Sequence, residues 1–292
     1  MVKIKSESKI NVGVVILNYI EAHVTVECLK SFNNQDTNGV NVQFVVIDNC
    51  SPNNSYEMLY EKYKNIENIS VVKTPYNLGF ANGNNFGYHE LLKKMKPDFV
   101  IFSNSDILLP KNNIYQWIIQ NYEMYKFGVL GPSIYSVNAN FYQSPIRNLS
   151  KDKREISRSI REMQISLLKI KLKTLFNIKN SNSSLEQWEN SQYEELHDNL
   201  TLHGAFQVMS KRYFDEYSEA YDKGTFLYYE EDILKLRCDK ASLPMIYSPD
   251  YTVNHLQSFS TNSNEKNVNK KNLKRVQNML KSLKRYQAIL EE

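Results

Sequence analysis

Four short apolar runs, at residues 12–17, 42–47, 69–72 and 99–102, alternate with stretches at 21–32, 56–63 and 82–95 that carry apolar residues at helical spacing. This alternation is the tightest constraint the chain places on its fold. Strands separated by helices at this spacing are joined by right-handed crossovers, which make neighbouring strands parallel and cover both faces of the sheet. The run "FVIF" at 99–102 has no polar residue, as a strand buried on both faces requires. With 292 residues and 41% hydrophobic content, the chain can build such an α/β core and still carry appendages.

In sheets of this type ligands bind beyond the carboxyl ends of the strands. Asn18 and Tyr19 follow the first run, and "DNCSPNNS" with Asp48, Asn49 and Ser51 follows the second. The third leads into "TPYNLGFANGNN", which holds Asn77, Gly79 and Asn85; the fourth ends in "SNSD", with Asn104, Ser105 and Asp106. Turn formation accounts for any one of these loops. Four in succession on one edge mark a binding site. Gly79 and Gly83 permit close backbone approach, and a helix starting near Asn82 can offer its N-terminus to phosphate. The spacing is not G-x-G-x-x-G, which argues against a nicotinamide dinucleotide. Asp106 can cap a turn or give an oxygen to a hard cation.

Two later stretches carry chemistry. "LHGAFQVMS" at 202–210 reads as a strand bringing His203 and Gly204 to the same edge, where each can meet a ligand or make a structural hydrogen bond. "FLYYEEDILKLR" at 226–237 places Glu230, Glu231 and Asp232 in succession. Crowded carboxylates raise one another's pKa toward the range useful to a general base, and acids also favour a helix N-terminus for dipole reasons.

"VVILNYIEA", "VVIDNCSPNNS", "NLGFANGNNFG", "IFSNSDILL", "LHGAFQVMSKRYFDE", "GTFLYYEEDILKLR" and "SPDYTVNHLQSFS", in this order, resemble the family 2 inverting glycosyltransferases of GT-A fold, and especially their bacterial rhamnosyltransferase-like branch. The resemblance implies an α/β, Rossmann-like, mostly parallel sheet with flanking helices, a helical insertion and a C-terminal helix. Residues 1–110 would bind the nucleotide sugar, 111–260 the acceptor with a basic insertion at 150–195, and 261–292 would form an amphipathic helix. By resemblance Asn18 and Tyr19 flank the nucleobase, Asp48 accepts the N3–H of uracil or thymine, Asn49 and Ser51 belong to the same donor-binding loop, and Asn77, Gly79 and Asn85 lie near the ribose or diphosphate. Asp106 is the retained second acid of the DxD motif, with Asn104 in place of the first and Ser105 between. His255 falls where a second ligand to Mg2+ or Mn2+ is often found, and Gly204 lies against donor sugar or acceptor. The base falls on Glu231, where the family more often has Asp, with Asp232 the second choice. The donor is then a dTDP- or UDP-sugar, rhamnose leading, and the acceptor a growing cell-surface glycan or lipid-linked oligosaccharide.

Residues 151–179 hold nine basic and three acidic residues, net +6 against +4 for the whole chain, so the positive charge is local. Ile156, Ile160, Met163, Leu167 and Ile170 form a four-three seam that can lie on an anionic membrane or on the protein. No nucleic-acid motif accompanies it. At the C-terminus Leu273, Val276, Leu280, Leu283 and Leu290 follow a heptad seam broken at Gln287, suited to packing on the domain or to a homodimer. Cys28, Cys50 and Cys238 lack paired or metal-type spacing and read as core thiols of a reducing compartment. Without a leader-like or membrane-spanning apolar run, the expected location is the cytoplasm, at the inner membrane face if the basic helix binds there. Two other readings fit the layout. A nucleotidyltransferase would need a Gly-rich basic loop after the first strand, where "LNYIEAH" has none; a non-catalytic sugar-nucleotide or glycan-binding module is favoured by Asn104 and opposed by the acid cluster.

Overall fold

The computed structural model describes residues 9–175, 193–257 and 268–292. The first third alternates as β1 (Ile10–Asn18), α1 (Ala22–Asn33), β2 (Val40–Asp48), α2 (Ser55–Tyr63), β3 (Ile69–Lys73), α3 (Gly79–Leu92) and β4 (Phe99–Asn104). There follow β5 (Ile107–Leu108), α4 (Ile114–Tyr125), β6 (Val129–Ser136), β7 (Phe141–Tyr142), α5 (Lys153–Leu175), β8 (Phe206–Ser210), α6 (Lys211–Glu216), α7 (Glu230–Lys240), β9 (Met245–His255) and α8 (Val268–Glu291).

Among the described residues these strands form one sheet in the order β3-β2-β1-β4-β8-β6-β9-β5, with β7 paired to β6. The β3-β2-β1-β4 half is parallel, as the alternation predicts. Beyond it β8 runs antiparallel to both β4 and β6, β9 runs parallel to β6, and β5 closes the edge antiparallel to β9. The register sets Asn18 beside Asp48 and Leu17 beside Asn104, so the polar ends of three strands are level.

Alternate residues of β1 bury on opposite faces. Val12, Val14 and Ile16 meet Cys28, Leu29 and Phe32 of α1, whereas Val15 belongs to the core that holds Ala81, Tyr88 and Leu91 of α3. Each fully buried side chain of this kind contributes about 1.5–3 kcal/mol. A third cluster joins Ile156 and Ile160 of α5, Ile233 and Leu236 of α7, and Leu280, Leu283, Tyr286 and Ile289 of α8. It backs α7, the helix that opens with the three acids.

Several expectations are revised. Helix α3 opens at Gly79 rather than near Asn82, because the Asn77 side chain takes the Gly79 N–H at 2.9 Å and starts the turn early. The strand expected over 202–210 begins only at Phe206. The Gly204 N–H goes to Glu231 and the Ala205 N–H to His203 Nδ1, so neither joins the sheet through its N–H. The seam of α5 packs on α7 and α8, with Ile156 and Ile160 buried and Met163 and Leu167 partly so. The stripe buried by α8 is Leu280, Leu283, Tyr286 and Ile289, with Leu290 partly covered, because the helix crosses two partners of its own chain. Gln287, at the seam's break, donates to Ser157 Oγ at 3.1 Å. Cys28 and Cys238 are core thiols, but Cys50 is half-exposed in the turn after β2, at φ 57. Residues 176–192, within the basic insertion, and Ser258 to Ser260 of the last motif lie outside the described residues.

Candidate active site

The carboxyl ends of β1 and β2 are bound into one polar knot. Asn18 Nδ2 donates to Asp48 Oδ2 at 2.8 Å and to Ser55 Oγ at 3.1 Å, while its oxygen accepts from Thr25 Oγ1 at 2.8 Å. Asp48 Oδ1 accepts the Ser51 N–H at 2.8 Å, and Ser51 Oγ accepts the Ile20 N–H at 2.8 Å. Asn18 and Asp48 are wholly buried. Burial without partners would cost several kcal/mol, so this satisfied network fixes the loop. Asp48 shapes the loop through both oxygens, and each keeps a second lone pair that can accept a further N–H. Tyr19 beside it is half-buried.

Asn49 ties this knot to the next loop. Its Nδ2 donates to the Gly79 carbonyl at 3.0 Å and to Asn77 Oδ1 at 3.3 Å, and its oxygen accepts the Leu78 N–H at 2.9 Å. The Phe80 N–H is taken by the Phe226 carbonyl at 2.8 Å, so the first N–H groups of α3 are committed to protein rather than offered to phosphate. Gly79 has φ +76, and a Cβ there would stand 2.2 Å from that carbonyl oxygen, which no other residue tolerates. Asn85 clasps the backbone of Tyr221 in both directions at 2.9 Å, joining α3 to the segment before α7. Asn77 and Asn85 also line a cavity of about 460 Å³ with Tyr76, His89, Lys223 and Phe226; it contains none of the acids described next.

Beyond β4, Asp106 and His255 come together. His255 Nε2 lies 3.2 Å from Asp106 Oδ1, and Gln143 Oε1 lies 2.7 Å from its Nδ1. The β5–β9 pairing creates this contact by setting Ile107 opposite His255. A neutral imidazole has one N–H; donated to Gln143, it leaves the Nε2 lone pair beside a carboxylate oxygen. Two such atoms 3.2 Å apart fit adjacent ligands of an octahedral cation, which at about 2.1 Å per bond are separated by ~3 Å. Among the described residues no third His, Cys, Asp or Glu completes a metal-binding group. Asn104 is half-buried, and its side chain makes no hydrogen bond among the described residues. Ser105 is buried.

His203 stands between this pair and the acids. Its ring centre is 6.0 Å from that of His255. Burial, then the neighbouring His255, lowers its pKa to about 3, so it is neutral; its Nδ1 accepts the Ala205 N–H at 3.1 Å. The next residue, Gly204, donates its N–H to Glu231 Oε1 at 3.1 Å. The Asn104 N–H meets the Ala205 carbonyl at 2.9 Å, which locks this turn to the end of β4.

The acids are presented by a strained turn. Tyr228 and Tyr229, directly before α7, have φ 78 and 63. Large side chains rarely adopt this region, at a cost of about 1–3 kcal/mol each, and such strain concentrates at functional sites. Glu230 is buried with Oε1 unpartnered among the described residues. Burial raises its pKa, helped by the charge of Glu231; burial also raises that of Glu231 against the Gly204 N–H. Burial and then Glu231 lift Asp232 to about 7. Sequence reasoning missed Gln143, which lies where no motif points, and the tyrosine pair, since nothing in "YY" signals positive φ.

A parallel half-sheet with a polar carboxyl edge, continued by an antiparallel strand and a mixed half that carries the acids, is the GT-A class of α/β fold. The model of the family described as Glycosyl transferase family 2 matches residues 13–217, more than half of the sequence, and the chain belongs to that family. No curated protein matches it. Among solved structures, S. aureus TarS 1-349 is 15% identical with TM-score 0.54, over 85% of this chain and 60% of that one. The same protein in complex with UDP-GlcNAc is 14% identical with TM-score 0.56, over 88% and 62%. GalNAc-T7 with UDP, GalNAc and Mn2+ is 13% identical with TM-score 0.59, over 86% and 44%. At these identities the likeness is one of fold. The chain spans 60% of the length of TarS 1-349.

Proposed function

We propose that the protein transfers a sugar, with inversion, from a pyrimidine nucleoside diphosphate donor to a hydroxyl of a growing glycan or lipid-linked acceptor. The observation that carries this reading is the turn of His203 and Gly204, which sets the Asp106–His255 pair on one side and the Glu231 carboxylate on the other. In this assignment residues 1–110 bind the donor and 111–260 the acceptor. Asn18, Asp48, Asn49 and Ser51 hold the loops against the nucleoside, and Asn77, Gly79 and Asn85 brace the segment beside it.

Glu231, with its raised pKa, takes the proton of the acceptor hydroxyl as that oxygen attacks the anomeric carbon. The bond from that carbon to the diphosphate breaks, and its electron pair leaves with the nucleoside diphosphate. Asp106 and His255 would hold Mg2+ or Mn2+, which when bound offsets charge on the departing diphosphate. GalNAc-T7 with Mn2+ and TarS with UDP-GlcNAc, which share the fold, support a metal and a uridine donor. The motif resemblance supports dTDP-rhamnose. Among the described residues no helix is long and apolar enough to cross a membrane.

The test is a thermal-shift panel of UDP, dTDP, GDP, CMP and ADP, with and without Mn2+, on wild type and Asp106→Ala. A ligand that binds only the folded state adds about 2.7 kcal/mol at a hundredfold excess over its Kd. A Mn2+-dependent shift with UDP or dTDP, lost in Asp106→Ala, is expected. No shift with any nucleotide overturns the reading and favours a non-catalytic glycan-binding module.

A further inference from the structure

Four of the five residues in the α5 seam that the sequence offers to a membrane pack on the protein, yet the opposite side of the same helix carries a second apolar stripe. Ile165, Leu168 and Leu172 recur at i, i+3 and i+7 and are 55%, 58% and 47% exposed. At 3.6 residues per turn this spacing places them on one face, roughly opposite Ile156, Ile160, Met163 and Leu167, which pack toward α7 and α8. Arg154, Arg158, Arg161 and Lys169 fall on that same outward face and are all exposed, with Glu162 the acid among them. One side of α5 is therefore anchored to the domain. The other presents three aliphatic side chains among four cations.

We propose that this outward face of α5 docks on an anionic phospholipid bilayer, with Ile165, Leu168 and Leu172 entering the headgroup boundary and Arg154, Arg158, Arg161 and Lys169 meeting lipid phosphates. Charge decides the occupant. Four exposed cations, Arg154, Arg158, Arg161 and Lys169, stand on this face against one acid, Glu162, so the face attracts a negative surface. A second copy of the chain on this face would set arginine against arginine, and like charges across an interface oppose association. An aliphatic stripe flanked by basic residues on a helix lying flat is the arrangement that interfacial binding uses. Helix α5 also packs on α7 through the cluster that backs Glu230, Glu231 and Asp232, so docking would hold the active-site edge at a fixed attitude to the membrane. The inference goes beyond the proposed transfer reaction and does not depend on it.

The experiment is co-sedimentation of the full chain with vesicles of phosphatidylcholine alone and of phosphatidylcholine mixed with phosphatidylglycerol, at low and high salt. Wild type is expected to bind the anionic vesicles, to release at high salt, and to ignore the neutral ones. Arg158→Gln with Arg161→Gln should weaken binding roughly fivefold for each charge removed, and Leu168→Asp by about tenfold or more. These side chains are exposed, so melting temperature and nucleotide-induced thermal shifts should stay at wild-type values. Equal sedimentation with both vesicle types, or anionic binding unchanged by all three substitutions, overturns the proposal. So does a wild-type dimer in sedimentation velocity that Leu168→Asp dissociates, since a second copy would then cover the face. Because vesicle binding is read without donor or acceptor, its failure is separable from failure of the transferase reading.

Discussion

Glu231 Oε1 accepts the backbone N–H of Gly204 at 3.1 Å, and a Cβ on residue 204 would stand 2.6 Å from that same oxygen. The carboxylate can be held there only because residue 204 has no side chain. The clash in Gly204→Ala is with the far end of a flexible side chain, so the fold relieves it by turning the carboxylate aside. The melting temperature should fall by a few degrees at most, while kcat falls by about tenfold or more. Wild-type kcat in this variant would remove the contact from catalysis.

Glu231→Gln keeps the side chain's shape and its acceptor oxygen for Gly204 but removes the base. Turnover should fall by about 100-fold or more with donor affinity nearly unchanged, which calorimetry with the nucleotide and a single-turnover assay would separate. If turnover is intact in Glu231→Gln and lost in Asp232→Asn, the role passes to Asp232.

The raised acids set the pH dependence. A base acts when deprotonated, so kcat/KM should rise with pH through a midpoint above the ordinary glutamate range. Stability runs the other way. Between the unfolded pKa of Asp232, 3.8, and its folded value of about 7, the folded state holds the extra proton, and stability falls as pH rises through that window. The slope is at most about 1.4 kcal/mol per pH unit for one group. Glu231→Gln removes a charge that lifts both Glu230 and Asp232, so its melting temperature should decline less between about pH 5 and pH 8 than that of wild type.

The parallel half of the sheet is legible in the sequence because each element is short, periodic and bounded by turn residues, and its packing is local to the βαβ units. The meeting of Asp106 with His255 is not, since it depends on a two-residue strand, Ile107–Leu108, pairing far along the chain. Asp48 and Asn85 show a different limit. Their polarity marks the right edge of the sheet, but a sequence cannot say that their hydrogen-bonding capacity is used on Asn18, Ser51 and Tyr221. The seam of α5 was visible as amphipathic, and only the packing of α7 and α8 shows which side the protein keeps.

Asp222 is the pivot that holds the acid-bearing turn to the last helix. It is 5% exposed and accepts from Arg237 Nη2 at 3.1 Å, from Arg285 Nε and Nη2 at 2.9 Å each, and from the Gly224 N–H at 2.8 Å. Burial pushes its pKa up, but Arg285, Gly224 and Arg237 outweigh that and hold it below the usual carboxylate value. A depressed folded pKa contributes stability above the unfolded pKa of 3.8 that is lost as pH falls. Asp222→Asn leaves Arg237, largely buried at 15% exposure, without a counter-charge and Arg285 with the exposed Glu292 alone, and should cost roughly 3 kcal/mol near neutral pH. Arg285→Met should cost less, because Arg285 is 34% exposed and Arg237 remains to neutralise the acid. Urea titrations of both variants at neutral and acidic pH test this. The deficit of Asp222→Asn should shrink as pH falls through the folded pKa of Asp222, since the wild-type carboxyl then loses its charge as well. A deficit that is the same at both pH values would show that the side chain stabilises the turn by shape rather than by charge.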